Sequence, residues 1–423
     1  MEFLINELIQ KKREKTIAFL QRLIREDSTR GNESNAQAII IEKCRKLGLQ
    51  LDIFDIDHDC VKHHPFYSCD RENFSGNPNV VATLKGYGQN GRSILLNSHI
   101  DVVPTGNEKE WTMASPFSGE RKNGKVYGRG TSDMKGGTVS LLLALEVIKE
   151  LPVTLLGDCV FQSVIEEESG GTGTLSCLLN GYTADAAIIP EPTNMKIFPK
   201  QQGSMWFRLT VNGKGAHGGT RYNGKNAILL SRKVIDSLLL LEQIRNNRIV
   251  DPLYESVNIP IPINIGRIIG GDWPSSVPDK VIIEGRYGVA PEESMEDAQR
   301  ELQQLISRLN DAEDWFNQHP IELEWFGGKW QSSTLSLDHP ILSVLKQQVK
   351  EVSGKEAILE ASPWGTDGGI LSKGGDIPVV IFGPGETSLA HQANEWILEE
   401  SIFSHCEIIV RTILEWCGYV KKE

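Results

Sequence analysis

Five potential metal ligands are scattered along this chain, and their placement constrains the fold more than any other feature of the sequence. The short signatures SHIDVVP, GRGTSDMKGG, IEEESGG, PEPTN and LAHQANE contain, in this order, His99, Asp133, Glu168, Glu191 and His391. Several of these signatures directly follow apolar segments that are typical of buried strands. Because open α/β sheets gather ligands at the carboxyl ends of their strands, such a fold would bring these distant side chains into one cavity.

The chemistry of these side chains indicates a pair of divalent cations. Two histidines and three carboxylates can hold two cations if one carboxylate bridges them, which leaves room for a shared water. Glu167 lies beside Glu168, and at the end of a strand both residues can reach one cavity, one as a ligand and the other as a base. This combination is typical of two-metal hydrolases.

The signatures and their order resemble the M20 family of metallopeptidases and N-acyl amino acid amidohydrolases, and the resemblance covers nearly the whole chain. It implies that His99, Asp133 and Glu191 hold one zinc ion. It also implies that His391, Asp133 and Glu168 hold the other, so that Asp133 bridges the two. Two divalent metal ions are therefore the implied cofactors, zinc in the first place and cobalt as the alternative.

The same resemblance assigns roles to residues around the metals. It implies that Asp101 accepts a proton from the imidazole of His99 and so fixes its orientation. Glu167 matches the general base of the family. An inserted domain in these enzymes often carries a histidine that stabilises the oxyanion, and His217 in GKGAHGG matches this residue.

Substrate contacts are implied at Arg286 in EGRYGVAPEE and at Asp367 in GTDGGI. Relatives that bind a free carboxylate commonly have an arginine in each of these segments, but Gly369 occupies the second position here. We therefore predict hydrolysis of an amide bond in a small N-acyl amino acid, with an acetylornithine deacetylase-like enzyme as the leading hypothesis.

Other functions stay open at this point. Within the same chemistry, the alternatives are a dipeptidase or carboxypeptidase acting on a dipeptide-like substrate, and a deformylase of a heterocyclic N-acyl compound such as a formamidopyrimidine. A catalytically silent binding protein is the alternative from another class. Such a protein would be expected to have lost a ligand or the base, and none is missing from this sequence.

The order of predicted elements indicates two domains, as expected for 423 residues. Helices alternate with apolar strands over residues 1–202, which predicts an α/β catalytic domain with a mixed central sheet flanked by helices. Residues 203–328 change to a β-α-β-β-α-β order, which predicts an inserted ferredoxin-like α+β domain that serves as a lid. The resemblance to the M20 family implies that this domain also forms the dimer contact. Residues 329–423 return to α/β character, so the zinc-peptidase-like catalytic domain is discontinuous.

Composition excludes several classes of function. The net charge of -12 argues against a nucleic-acid-binding protein, and no apolar run reaches the roughly eighteen residues needed to cross a membrane. The first residues lack the features of a secretory signal, and seven cysteines, an odd number, fit reduced thiols better than disulfides. We therefore expect a cytoplasmic enzyme that acts on a small molecule. The family resemblance implies a homodimer through the inserted domain.

One cluster of metal-binding residue types does not belong to this scheme. The segment HDCVKHHPFYSC contains His58, Cys60, His63, His64 and Cys69. Its spacing matches no standard zinc finger. We interpret it as a surface loop between strands that borders the substrate entrance.

Overall fold

The computed structural model of the chain describes residues 1–88 and 90–422, which form two compact units. The first unit comprises Met1–Lys200, Ser333–Glu360 and the residues from Thr366 onward, and the second comprises Gln201–Ser332 and Ala361–Gly365. Over the described ranges, no helix combines the length and the apolar character that a membrane crossing requires.

A nine-stranded mixed sheet forms the centre of the first unit. Its inner strands are parallel and lie in the spatial order Cys159–Val164, Ile94–His99, Ala187–Ile189 and Val379–Ile381. Further strands extend the sheet on both sides of these four, and the first strand added on each side is antiparallel to its neighbour. The added strands are Asn79–Leu84 and Gln50–Phe54 on one side, and Ile197–Gln201, Ser333–Thr334 and Leu359–Ser362 on the other.

Burial on both faces explains why the inner strands are continuous apolar runs in the sequence. Ile94 and Leu96 pack into the main hydrophobic core, whereas Leu95 packs with Ile189 and Leu371 in a separate cluster. Successive side chains of a strand point to opposite faces, so both faces of this sheet are covered. Each fully buried Leu or Ile side chain stabilises the fold by roughly 1.5–3 kcal/mol.

Helices flank this sheet. The three longest helices of the first unit, which pack against one another, are Glu2–Ile24, Gly136–Glu150 and Glu399–Cys417. The shorter α-helices are Ser34–Lys46, His58–Val61, Thr172–Leu179, Pro340–Ser353 and Gly368–Gly375. Two small sheets complete the unit, with strands Arg121–Lys122, Lys125–Tyr127 and Trp396–Leu398 in one and Val153–Leu155 and Tyr419–Lys421 in the other.

The second unit is a ferredoxin-like α+β sandwich. Its four antiparallel strands lie in the order Ile263–Gly270, Lys280–Val289, Gly203–Asn212 and Glu322–Trp330. The helices are Ala227–Asn246, Met295–Ala312 and the short Asp314–Gln318. Phe207 and Leu209 share one buried cluster with Val234 and Leu302, so the two long helices cover the same face of the sheet. A small ribbon pairs Ala216–His217 with Ser276–Val277.

A buried histidine couples the stability of the first unit to pH. His405, in the helix Glu399–Cys417, is fully buried, and its Nε2 lies 2.9 Å from the carbonyl oxygen of Phe382. A carbonyl can only accept, so Nε2 carries the proton and Nδ1 accepts from the Ser140 hydroxyl at 2.7 Å. Burial lowers the pKa of His405 to about 4.

We predict that His405 makes the free energy of unfolding decrease as the pH falls from about 6.5, the pKa in the unfolded chain, to about 4. The folded state favours the neutral imidazole, so its contribution is complete above the unfolded-state pKa, and about 3 kcal/mol is lost across this window. Urea unfolding of the metal-free protein at about pH 7 and about pH 4.5 measures this loss. The loss should be smaller in His405→Gln and unchanged in His63→Gln, whose side chain is exposed. Equal losses in wild type and His405→Gln would contradict the prediction.

Candidate metal centre

The inner parallel strands of the first unit lead into the predicted ligand segments. His99 is the last residue of its strand, and Glu168 and Glu191 follow the two strands that flank it. The loop after the fourth parallel strand contains His391. Because the carboxyl ends of parallel strands lie at one edge of a sheet, these segments meet there although they are distant in sequence.

Asp133 lies between the two histidines. Its Oδ1 is 3.2 Å from Nε2 of His99, and its Oδ2 is 3.3 Å from Nε2 of His391. Nε2 of His99 is also 3.6 Å from Oε1 of Glu191, and Nε2 of His391 is 3.2 Å from Oε2 of Glu168. The structure thus brings all five predicted ligands together, and each histidine faces its own glutamate and one oxygen of the shared aspartate.

A backbone contact sets the tautomer of His99. Its Nδ1 lies 2.8 Å from the carbonyl oxygen of Asp101. Because a carbonyl oxygen can only accept, Nδ1 carries a proton, and Nε2 is the nitrogen that faces Asp133 and Glu191. This is the tautomer that a metal-binding imidazole requires.

The prediction that the Asp101 carboxylate accepts a hydrogen bond from His99 is wrong, because the carbonyl oxygen is the acceptor and Oδ1 of Asp101 lies 3.7 Å from Nδ1 of His99. The carboxylate instead accepts the backbone N–H groups of Glu167 and Glu168, at 3.3 Å and 3.1 Å. Asp101 therefore supports the histidine with its main chain and the Glu167–Glu168 turn with its side chain.

Burial and neighbouring charges shift the acidities in this centre. Burial raises the pKa of Glu167 well above its usual range, and the charge of Glu191 adds to this effect. Burial also raises the pKa of Glu191 to about 8. Burial opposes ionisation of Asp133 as well, but the hydrogen bonds and charges of His391 and His99 together outweigh it and lower the pKa of Asp133. The charge of Glu168 raises the pKa of His391 to about 11.

The donor set fits a pair of divalent cations. Candidate ligand atoms lie within 4.8 Å of one another in two overlapping groups, one of His99, Asp133 and Glu168 and one of His99, Glu167 and Glu191. Crowded carboxylates and imidazoles in a buried site are stabilised when cations replace the protons that would otherwise neutralise them. Glu167 belongs to the second group, so its carboxylate is close enough to act on a water held at this centre.

Glu395, which the sequence analysis missed, anchors the segment that contains Asp133. Its fully buried carboxylate accepts the backbone N–H groups of Gly130, Ser132 and Asp133, at 2.9, 2.8 and 3.1 Å. The guanidinium of Arg129 donates to the same carboxylate at 2.7 Å. Its place in LAHQANE, four residues after a predicted ligand, was the only signal in the sequence.

The remaining predicted site residues differ in their surroundings. Asp367 is buried, its Oδ2 accepts from the Thr174 hydroxyl at 2.7 Å, and burial raises its pKa to about 6. His217 belongs to the second unit and is exposed. Its Nδ1 accepts the N–H of Gly219 at 3.1 Å, so Nε2 carries the proton and can donate. Burial lowers the pKa of Arg286, also in the second unit, to about 10, and Arg286 makes no ion pair within the described ranges.

The loop of residues 57–72 is only partly the surface loop that the sequence suggests. Cys60 and His63 are exposed, but Val61 and Cys69 are buried. The thiol of Cys69 lies 3.1 Å from Oε2 of the buried Glu166. The expectation of a surface loop therefore holds for Cys60 and His63 but is wrong for Val61 and Cys69, whose apolar and thiol side chains are removed from water.

This chain is similar to known proteins over most of its length. The model of peptidase family M20/M25/M40 matches residues 95–415. An N-formyl-4-amino-5-aminomethyl-2-methylpyrimidine deformylase from Halalkalibacterium halodurans is 31% identical, with 97% of this chain and 96% of the relative covered. A probable succinyl-diaminopimelate desuccinylase from Staphylococcus aureus is 27% identical, with coverages of 89% and 93%.

Solved structures show the same fold. A di-peptidase from Saccharomyces cerevisiae superposes with a TM-score of 0.78 at 15% identity, over 99% of this chain and 98% of that chain. The predicted fold class, a zinc-peptidase-like α/β domain with a ferredoxin-like insertion, is confirmed. The family match over most of the sequence and the 31% identity to a full-length relative establish that this chain belongs to peptidase family M20 and is a metal-dependent amide hydrolase.

Proposed function

We propose that this M20 hydrolase removes the formyl group from the amine of a small heterocyclic N-formyl compound, such as a formamidopyrimidine. The observation that carries the hydrolytic part is the position of Asp133, whose two oxygens each face a different histidine. The 31% identity to a pyrimidine deformylase over 97% of this chain supports the formamide as substrate. The deformylase, one of the alternatives from the sequence, thus takes precedence over an acetylornithine deacetylase.

The residues expected to bind a substrate carboxylate also favour a neutral heterocycle. N-acetylornithine, N-succinyl-diaminopimelate and dipeptides all carry a free carboxylate, whereas a formamidopyrimidine does not. Gly369 offers no side chain where relatives that bind a carboxylate commonly have an arginine. Arg286 alone would then have to neutralise that carboxylate, and one cation instead of two weakens such recognition.

The five predicted ligands would hold two divalent cations, zinc or cobalt, in two sets: His99, Asp133 and Glu191 for one, and His391, Asp133 and Glu168 for the other. When bound, the cations supply Lewis acidity that makes water nucleophilic and polarises the formyl carbonyl. We propose both the identity of the cations and the roles of these side chains.

The chain's own residues move the protons. Glu167 removes a proton from the attacking water and delivers it to the leaving amine nitrogen. The Nε2–H of His217 donates to the oxygen on which negative charge develops. The carbon–nitrogen bond of the formamide breaks, and the products are formate and the free amine.

We predict that the protein hydrolyses N-formyl-4-amino-5-aminomethyl-2-methylpyrimidine with a kcat/KM about 100-fold above that for its N-acetyl analogue, because an acyl site that fits a formyl hydrogen closely would exclude the larger methyl group. Released amine should be measured with two equivalents of zinc or cobalt. N-acetylornithine, N-succinyl-diaminopimelate and a dipeptide are the comparison substrates. A higher kcat/KM for any of these three would defeat the formamide assignment and favour the corresponding alternative.

Substitution of Glu167 tests the base. In Glu167→Gln the proton acceptor is lost while the shape of the side chain is kept, so kcat should fall by roughly 10²–10⁴-fold. Two cobalt ions per chain should still bind, as measured by elemental analysis. The control is Glu400→Gln, an exposed glutamate paired with Arg13, which should keep wild-type turnover. Loss of one metal from Glu167→Gln would show that Glu167 is a ligand instead.

We also propose that the enzyme is a cytoplasmic homodimer. Within the described residues all seven cysteines are free, and six of them are buried, which suits a reducing compartment.

The strand Ile263–Gly270 is an edge of the sheet of the second unit, and its Ile268 and Ile269 are 53% and 46% exposed. The adjoining helix Ala227–Asn246 exposes Leu229 and Leu240 as well. An apolar helix beside an unpaired strand edge suits pairing with a second copy.

A charged residue on this edge should disrupt the dimer. We predict that Ile268→Lys changes the mass measured by light scattering from that of a dimer to that of a monomer, because a lysine on an edge strand opposes strand pairing. Val250→Lys, at a position that is 91% exposed and lies outside both elements, should leave the dimer intact. A wild-type protein that is monomeric at micromolar concentration would contradict this proposal.

A further inference from the structure

The turn that contains Glu167 and Glu168 begins at a residue in an unusual conformation. Glu166 has φ 65° and ψ 23°, in the left-handed region that non-glycine residues rarely adopt. Its side chain is fully buried. Such a conformation persists only when the surrounding contacts determine it, and the contacts of the Glu166 carboxylate are therefore informative.

Two arginines hold this carboxylate from different segments. Arg71 Nη1 donates to Oε1 of Glu166 at 2.7 Å and to Oε1 of the fully buried Glu33 at 2.9 Å. Arg30 Nε donates to Oε2 of Glu166 at 2.9 Å. The side chain of Arg71 is 13% exposed and that of Arg30 is 37% exposed. Arg71 is thus the more enclosed cation and the one that joins two buried carboxylates.

The turn is held at its other end as well. The N–H groups of Glu167 and Glu168 donate to the Asp101 carboxylate, and the carbonyl of Asp101 accepts from His99. A movement of Glu166 would therefore be transmitted to the next two residues of the chain. Without Arg71, the carboxylates of Glu33 and Glu166 would face each other with one neutralising contact fewer, which favours such a movement.

We propose that Arg71, from the loop of residues 57–72, is a positioning residue that fixes the Glu167–Glu168 turn through Glu166. This inference rests on the proposed function for its catalytic consequence, and on the candidate metal centre for its effect on metal binding. It gives a role to the loop rich in histidine and cysteine that sequence analysis leaves without one. The loop acts through its arginine and needs no metal of its own.

Arg71→Ala tests this role with two independent measurements. With saturating cobalt, kcat for the formamide should fall about 10–100-fold, and the affinity of the metal-stripped protein for cobalt, followed by visible absorption, should weaken by a similar factor. Guanidinium ion at millimolar concentration should restore part of both losses by filling the vacated space, whereas sodium chloride at equal ionic strength should not. Lys62→Ala, which removes a cation of the same loop that pairs with Asp59, should behave as wild type.

The outcomes separate positioning from mere stabilisation. A lowered Tm with wild-type kcat and cobalt affinity at 25 °C would overturn the proposal. If Arg71→Ala does not fold, Arg71→Lys is the deciding variant, because it keeps the positive charge but not the planar guanidinium. Partial losses of kcat and of cobalt affinity are then expected, and wild-type values of both would overturn the inference. If the wild-type protein hydrolyses no amide, the proposed function fails, and the cobalt titration still decides the role of Arg71.

Discussion

Carboxylates that are crowded together away from water repel one another, and the structure of the first unit depends on how this repulsion is relieved. Asp133 is central to the solution because its two oxygens face different histidines, each of which also faces a glutamate. In this arrangement, imidazole nitrogens and carboxylate oxygens alternate around positions where cations can replace protons. Burial raises the pKa of Glu191 and of Glu167, and the charges of neighbouring carboxylates add to this effect. A raised pKa also makes a buried carboxyl useful as a base near neutral pH.

Buried charges next to the centre hold the segments that supply its ligands. The carboxylate of Glu395 binds three backbone N–H groups of the Asp133 segment and is neutralised by Arg129. The carboxylate of Asp101 binds the N–H groups of Glu167 and Glu168. In the contacts described here, both carboxylates bind backbone N–H groups and so hold the main chain in place. A buried ion pair contributes little net stability, but a broken one is costly, so such pairs are suited to holding a geometry.

Much of the fold could be predicted because hydrophobic periodicity is a local property. The predicted alternation of helices and apolar strands over residues 1–202 is observed, for example in the helix Gly136–Glu150 and the strand Cys159–Val164. The β-α-β-β-α-β order gave the ferredoxin-like unit for the same reason. The burial of Val61 and Cys69 in the loop of residues 57–72 was not foreseen, because Cys69 contacts Glu166, which is distant in the sequence. Glu395 was missed because three of its four partners described above are backbone N–H groups, which every residue type except proline carries.

The sequence by itself determined the ligand types, their attachment to strand ends and therefore the family, since these follow from residue identity and local pattern. Only the tertiary structure decided which groups of these residues touch. It selected the carbonyl of Asp101 over its carboxylate as the acceptor for His99, and it placed Arg71 against Glu166. The physical reason is range. Periodicity acts over a few residues, whereas a hydrogen bond or an ion pair forms only when two segments that are far apart in the chain are positioned to within a fraction of an ångström.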